Sequence, residues 1–270
     1  MTISFFIPIK DEVDRIDNLL TNLRNFYPNE RVVLYCNGTN EINVDILKQK
    51  SNDYKTEIIF TKCIYNTKKA GKLFRDMFNW YIQNPTDILL RLDTDADVYK
   101  KIQDFTGYEN SVFGTVHRLD ENKNPLPNTS NNKILNIATN VSNPYTVVMP
   151  TFVNGVIGFD SISINTFIEN NIFSETNDEE YYNSFKTLKG ISNGPSDYIS
   201  MDFVLCEGIK KTNIRLLDHP EIYSVTFSNF LHLFYSNMIL DSFTTLDELN
   251  NKEKYAFVHP VNRNDKEPFA

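Results

Sequence analysis

In the first hundred residues, short apolar runs alternate with stretches whose apolar positions repeat at helical spacing, and no other feature constrains the fold as much. Ile3–Ile7 reads as a buried strand. Asp11 can cap a following helix that carries Val13, Ile16, Leu19, Leu20 and Leu23, with Phe26 after them, and Pro28-Asn29 stops it. Arg31–Tyr35 is the second strand and ends in the turn signal Cys36-Asn37-Gly38-Thr39. A loose helical stretch around Val44–Lys50 precedes a third strand, Thr56–Phe60. A basic turn, Asn66 to Lys72, then opens a helix bearing Leu73, Met77, Trp80 and Tyr81, which Pro85 ends. Ile88, Leu89, Leu90 and Leu92 form the fourth strand, apolar on both faces as in a covered sheet. This order predicts an α/β fold: a Rossmann-like, mostly parallel sheet with helices on both faces.

Beyond residue 100 the pattern loosens. Strands are expected at Ser111–Arg118, Tyr145–Met149, Thr151–Phe159 and Ile214–Leu217. A helix is expected from Asp197 or Tyr198 to Lys210, and another near 226–240. Residues 120–134 read as a polar loop, and 174–196 as a mobile acidic one.

The fourth strand ends in carboxylates on alternate residues, Asp93, Asp95 and Asp97. Acids so close repel one another, and a core has no use for them. A divalent cation relieves the repulsion, and hard oxygen ligands suit Mg²⁺ or Mn²⁺. In open α/β sheets ligands bind outside the carboxyl ends of the strands, where these acids fall. The competing readings are a solvated acidic turn and a calcium loop. Against the loop, Val98 stands where its sharp turn needs Gly, and Asp104 stands in place of the bidentate Glu.

The chain has 270 residues, enough for one large domain, and its 41% apolar and 23% charged composition is globular. A net charge of −8 argues against a nucleic-acid partner. Cys36, Cys63 and Cys206 are odd in number and widely spaced, which fits reduced thiols and a cytoplasmic location. No apolar run approaches the roughly 18 residues of a membrane span, and the N-terminus lacks the pattern of a signal peptide.

Together these segments resemble the GT-A glycosyltransferases, in particular the large inverting family that uses nucleotide-sugar donors. Pro8-Ile9-Lys10-Asp11-Glu12 is similar to the family's Pro-x-Tyr-Asn-Glu turn, and Cys36-Asn37-Gly38-Thr39 to its Asp-Asn-Gly-Ser. Lys69-Ala70-Gly71-Lys72 resembles its Gly-Lys-x-Gly turn, and Asp93-Thr94-Asp95 its DxD motif. Met201-Asp202, the basic turn Lys210 to Arg215, and Pro220-Glu221 resemble the run that supplies the catalytic base.

The resemblance implies a single GT-A domain over 1–270. Residues 1–100 would bind the nucleotide sugar, 101–225 would bind the acceptor through a smaller antiparallel region, and 226–270 would form a helical tail. Pro8, Lys10, Asp11, Asn37, Lys69, Gly71, Arg91, Asp93 and Thr94 would contact the donor. Asp95, with Asp93 or Asp97, would hold Mn²⁺ or Mg²⁺. His259, in a Val258-His259-Pro260 to Lys266-Glu267-Pro268 tail, would add a third metal ligand. Asp202 or Asp197 would be the base that takes the acceptor's proton. The implied activity is transfer of one sugar from a nucleoside-diphosphate donor to a hydroxyl of a glycan, a lipid-linked saccharide or a protein.

Lys10 replaces the family's base-stacking Tyr, and Met201 replaces the Glu before the base. The Gln-x-x-Arg-Trp run of processive synthases is absent. A retaining mechanism, a sugar nucleotidyltransferase and a non-catalytic GT-A binding domain remain alternatives. The first strand lacks the nucleotidyltransferase's Gly-rich loop. His117, His219 and His232 carry no comparable signal.

Overall fold

The structure, a computed structural model, describes residues 1–62, 69, 71–117, 151–189, 201–224 and 255–259. Asp202 and His259 are described by their backbone alone. The first half alternates as expected: β1 (Ile3–Ile9), α1 (Ile16–Phe26), β2 (Arg31–Asn37), α2 (Glu41–Asp53), β3 (Glu57–Thr61), α3 (Gly71–Tyr81) and β4 (Ile88–Leu92). Then come β5 (Asp97–Val98), β6 (Ser111–His117), β7 (Thr151–Asp160), α4 (Ser161–Glu169), α5 (Glu175–Lys189), α6 (Met201–Lys210), β8 (Arg215–Asp218), β9 (Ile222–Ser224) and β10 (Phe257–His259).

Seven strands form one sheet in the order β3-β2-β1-β4-β7-β6-β8. β1 pairs in parallel with β2 and β4, β2 with β3, and β6 with β8; only β7 runs against its neighbours. The protein is therefore α/β with a mostly parallel sheet, to which both the 1–100 and the 101–225 segments contribute. The second sheet, β5-β10-β9, is small and mixed: β10 is antiparallel to β5 and parallel to β9.

Strand alternation sorts the apolar side chains into two layers. Phe5, Ile7, Val32, Leu34, Ile88, Leu90 and Leu92 pack against Ile16, Leu19, Leu20 and Leu23 of α1, Leu47 of α2 and Phe257 of the small sheet. Phe6, Val33, Tyr35 and Leu89 face the other way, onto Leu73, Phe74, Met77, Phe78 and Trp80 of α3 and onto side chains of α4, α5 and α6. Gly158 is required by packing: a Cβ there would lie 2.1 Å from the Phe113 ring across the β6–β7 pair.

Two expectations need correction, and one helix was not expected. Residues 175–189, expected as part of a mobile loop, form α5. Buried Tyr181, Tyr182 and Asp178 fix it against α3 and α6. Asp11 does not cap α1, which begins at Ile16 behind Arg15 without a side-chain cap. Residues 161–169, for which the sequence carried no helical expectation, form α4. The loop at 120–134, the Tyr145–Met149 strand, the helix near 226–240, Asp197 and His232 lie outside the described residues.

Asp160 explains α4. Its Oδ1 accepts the N–H groups of Ser111 (3.0 Å) and Ser163 (2.9 Å), and its Oδ2 those of Asn110 (2.8 Å) and Ile162 (3.2 Å). One buried carboxylate thus caps α4 and fixes the start of β6. Asp160→Ala removes the cap and strands buried N–H donors, so it should cost about 2–4 kcal/mol in a urea unfolding series. Asp160→Asn, which keeps an acceptor, should lose less.

Candidate functional site

Because six of the seven strands share a direction, one edge of the sheet collects their carboxyl ends. β1 ends at Pro8-Ile9, β2 at Asn37, β3 at Thr61 and β4 at Leu92. The turns at this edge are tied to one another. Gly38, in the left-handed region at φ 72°, donates its N–H to Thr61 O at 2.9 Å. Asp11 accepts from the Asn40 N–H (2.9 Å), the Asn40 amide (2.8 Å) and the Asn43 amide (3.0 Å). Asn40 is the N-cap residue of α2, so Asp11 binds the turn after β1 to the helix after β2. Partial burial alone would raise the Asp11 carboxyl. The Asn40 N–H, the Asn43 amide and the Lys10 charge outweigh it and hold the group below its ordinary value. Pro8 and Asn37 are buried, and Lys10 is half-buried.

The acidic residues do not form a row. Ala96 N–H bonds Asp93 O at 3.0 Å, closing a turn over Asp93-Thr94-Asp95-Ala96. The Asp93 N–H continues the sheet by donating to Gly155 O at 2.8 Å. Asp93 Oδ1 accepts from Arg91, whose guanidinium is 1% exposed within β4. Arg91 follows Leu89 by two residues, so it stands on the α3 face of the sheet. Thr94 and Asp95 are half-buried at the turn. Asp97 already serves as a tie: its Oδ1 accepts from the Asn22 amide of α1 and from the Val98 N–H, both at 2.7 Å. Burial pushes the Tyr99 hydroxyl up to about 12, with the charge and hydrogen bond of Asp97 adding to the effect. Among the described residues, no three Asp, Glu, His or Cys side chains converge as a metal-ligand group.

The small sheet brings the far end of the chain to this turn. Phe257 pairs with Val98 and Val258 with Asp97. One step further in that antiparallel register sets the His259 backbone opposite Ala96, beside Asp95 and Asp97. Glu221 anchors the arrangement. Its carbonyl accepts from Ala256 and Phe257, and its carboxylate binds the Gln103 N–H (3.0 Å) and Lys100 (3.4 Å).

α6 packs on β7 and reaches β8 through a short connection. β8 starts beside Ser111, at the opposite edge of the sheet. The first turn of α6, with Asp202, therefore lies toward the acidic edge.

The start of α3 is closely packed. Gly71 is buried, and a Cβ there would lie 2.4 Å from Asp178 Oδ1. Asp178 is held by Arg75 at 2.9 Å, and Arg75 also bonds Phe173 O. The small residue at 71 is thus explained by close approach of a carboxylate from α5. Lys69 is exposed, and Lys72 pairs with Asp76.

Cys36 is a buried free thiol, pushed up to about 12 by burial. His219 is packed among the rings of Phe105, Tyr108 and Phe113, and its Nδ1 accepts from the Glu221 N–H at 3.2 Å, a structural histidine. Sequence reading missed Asn22, Tyr35, Asn40 and Asp76. Of these only Asp76 left a local signal, four residues after Lys72 on one helix face.

No protein-family model matches the chain, and no curated protein matches it. Among the described residues, no helix is long and apolar enough to cross a membrane.

The lowered pKa of Asp11 sets a pH dependence. A carboxylate depressed in the folded state contributes stability above its unfolded value, near 3.9, and loses it as pH falls through the folded value. Asp11→Ala should cost about 1 kcal/mol at pH 7. In urea unfolding, the gap to wild type should be constant down to about pH 4 and narrow below it.

Proposed function

We propose that the protein is a metal-dependent GT-A glycosyltransferase that moves one sugar from a nucleoside-diphosphate sugar to a hydroxyl of a glycan, a lipid-linked saccharide or a protein. The observation that carries this reading is the pairing of β10 with β5, which sets the His259 backbone beside the Asp93–Asp97 turn. These residues are far apart in sequence, and the backbone pairing brings the segment of the tail histidine alongside the acidic turn. The mostly parallel, helix-covered sheet further supports it.

The residue types at this turn would suit a metal. Asp93 and Asp95 offer hard oxygens and His259 an imidazole, a combination suited to Mn²⁺. Arg91 holds Asp93 in place, and Asp97, already engaged by Asn22, braces the turn. When bound, the metal would offset the charge that develops on the departing nucleoside diphosphate. Pro8, Lys10, Asp11 and Asn37 border the place for the base, next to the turn that Asp11 fixes.

Asp202, in the first turn of α6, is the proposed base. It would take the acceptor hydroxyl's proton while that oxygen attacks the anomeric carbon from the face opposite the leaving group, giving inversion. Asp197 is the second candidate for that role.

Thermal unfolding with UDP, GDP, CDP or dTDP, each with Mn²⁺, Mg²⁺ or EDTA, tests the donor site. At about a hundred times its dissociation constant, one nucleotide should stabilise the protein by roughly 2.7 kcal/mol, only with metal, and Asp95→Ala should abolish the gain. Stabilisation by no nucleotide under any metal condition would sink the reading. Asp202→Asn should leave that shift intact while lowering sugar transfer on the order of 10²–10⁴-fold.

A further inference from the structure

Lys72 is held in an arrangement that helix stability does not favour. Its ammonium donates to Asp76 Oδ2, and the hydroxyl of fully buried Tyr35 donates to the same oxygen. The lysine lies in the first turn of α3 and the acid one turn later. The helix has no acid in its first turn and no base in its last. The helix dipole favours the reverse order, with acid first and base after it. A buried tyrosine hydroxyl spent on fixing that acid points to a function for the lysine's position.

The position is at the donor edge. Tyr35 lies two residues before Asn37 on β2 and opposite Pro8 on β1, so Tyr35 and Asn37 share a face. Tyr35 and Leu89 belong to the α3 face, and Arg91, two residues beyond Leu89, extends that face to Asp93. Lys72 therefore stands over the same face of the sheet as the Arg91–Asp93 pair. Its side chain is 31% exposed, open to a ligand yet tethered. Asp178 meanwhile covers the side of Gly71 where a glycine would otherwise admit a phosphate.

We infer that Lys72 is the cation that meets the diphosphate of the nucleotide donor, with Asp76 and Tyr35 as its positioning residues; this rests on the donor site proposed above. An ammonium has three donors, and Asp76 takes one of them, fixing the direction of the others. The contact is to charge alone, so it is indifferent to the base.

Titration calorimetry with Mn²⁺ compares the nucleoside diphosphate that stabilises wild type with its parent nucleoside. Lys72→Met should weaken the diphosphate on the order of tenfold or more and leave the nucleoside unchanged. Lys72→Arg should restore most of the loss. Tyr35→Phe should fall between wild type and Lys72→Met for the diphosphate, again sparing the nucleoside. Equal loss for both ligands, or no loss for either, overturns the role of Lys72 while leaving the donor site standing. Failure of wild type to bind any of the four diphosphates overturns the donor site, and this role with it.

Discussion

Strand β4 must be buried on both faces, and the remaining architecture follows from that requirement. It lies between β1 and β7, with Ile88, Leu90 and Leu92 on one face and Leu89 on the other. Burying apolar surface on two sides demands helices on two sides, which α1 and α3 supply from neighbouring crossovers. The one polar residue of the strand, Arg91, is nearly sealed from water. A buried guanidinium without a counter-charge would be prohibitive, so the chain places Asp93 two residues on, on the same face. The end of the central strand is thereby fixed electrostatically as well as by packing.

The other turns of that edge are fixed differently. Asp11 is satisfied by Asn40 and Asn43, and Asp97 by Asn22 and its own chain. Neutral amides satisfy a carboxylate's hydrogen bonds without cancelling its charge. They also link segments distant in sequence, β1 to α2 and β5 to α1. The turns of this edge are thus tied to one another by neutral amides.

The sequence made the first sheet half legible because each strand there is a short apolar run and each helix a clean stripe, so periodicity alone separates them. The acidic turn was legible as chemistry but not as geometry. Alternate spacing placed three acids together at the strand end, and the structure closes a turn over Asp93–Ala96 and ties Asp97 to Asn22. α5 was misread because its surface is polar and acidic. Its helix depends on two tyrosines and on Asp178 bonding Arg75, contacts that exist only once α3 is in place. α4 was missed because Ser-Ile-Ser-Ile alternates like a strand. Its helix begins at Asp160, whose carboxylate gathers backbone donors from two separate segments.

The charges around β4 also separate two tasks that a single motif would combine. Three carboxylates crowd residues 93–97, against one guanidinium at 91. Arg91 is committed to Asp93 from inside the sheet, where it cannot travel to a ligand. Positive charge for an incoming anion must therefore come from outside β4. Lys72, at the start of α3, stands over the same face, and there the buried Tyr35 hydroxyl and Asp76 hold its ammonium. A metal on the acidic turn and an ammonium on α3 would approach a diphosphate from two directions. In the proposed donor site, two such charges would select the spacing of its oxygens and leave the base to the turns beyond β1 and β2.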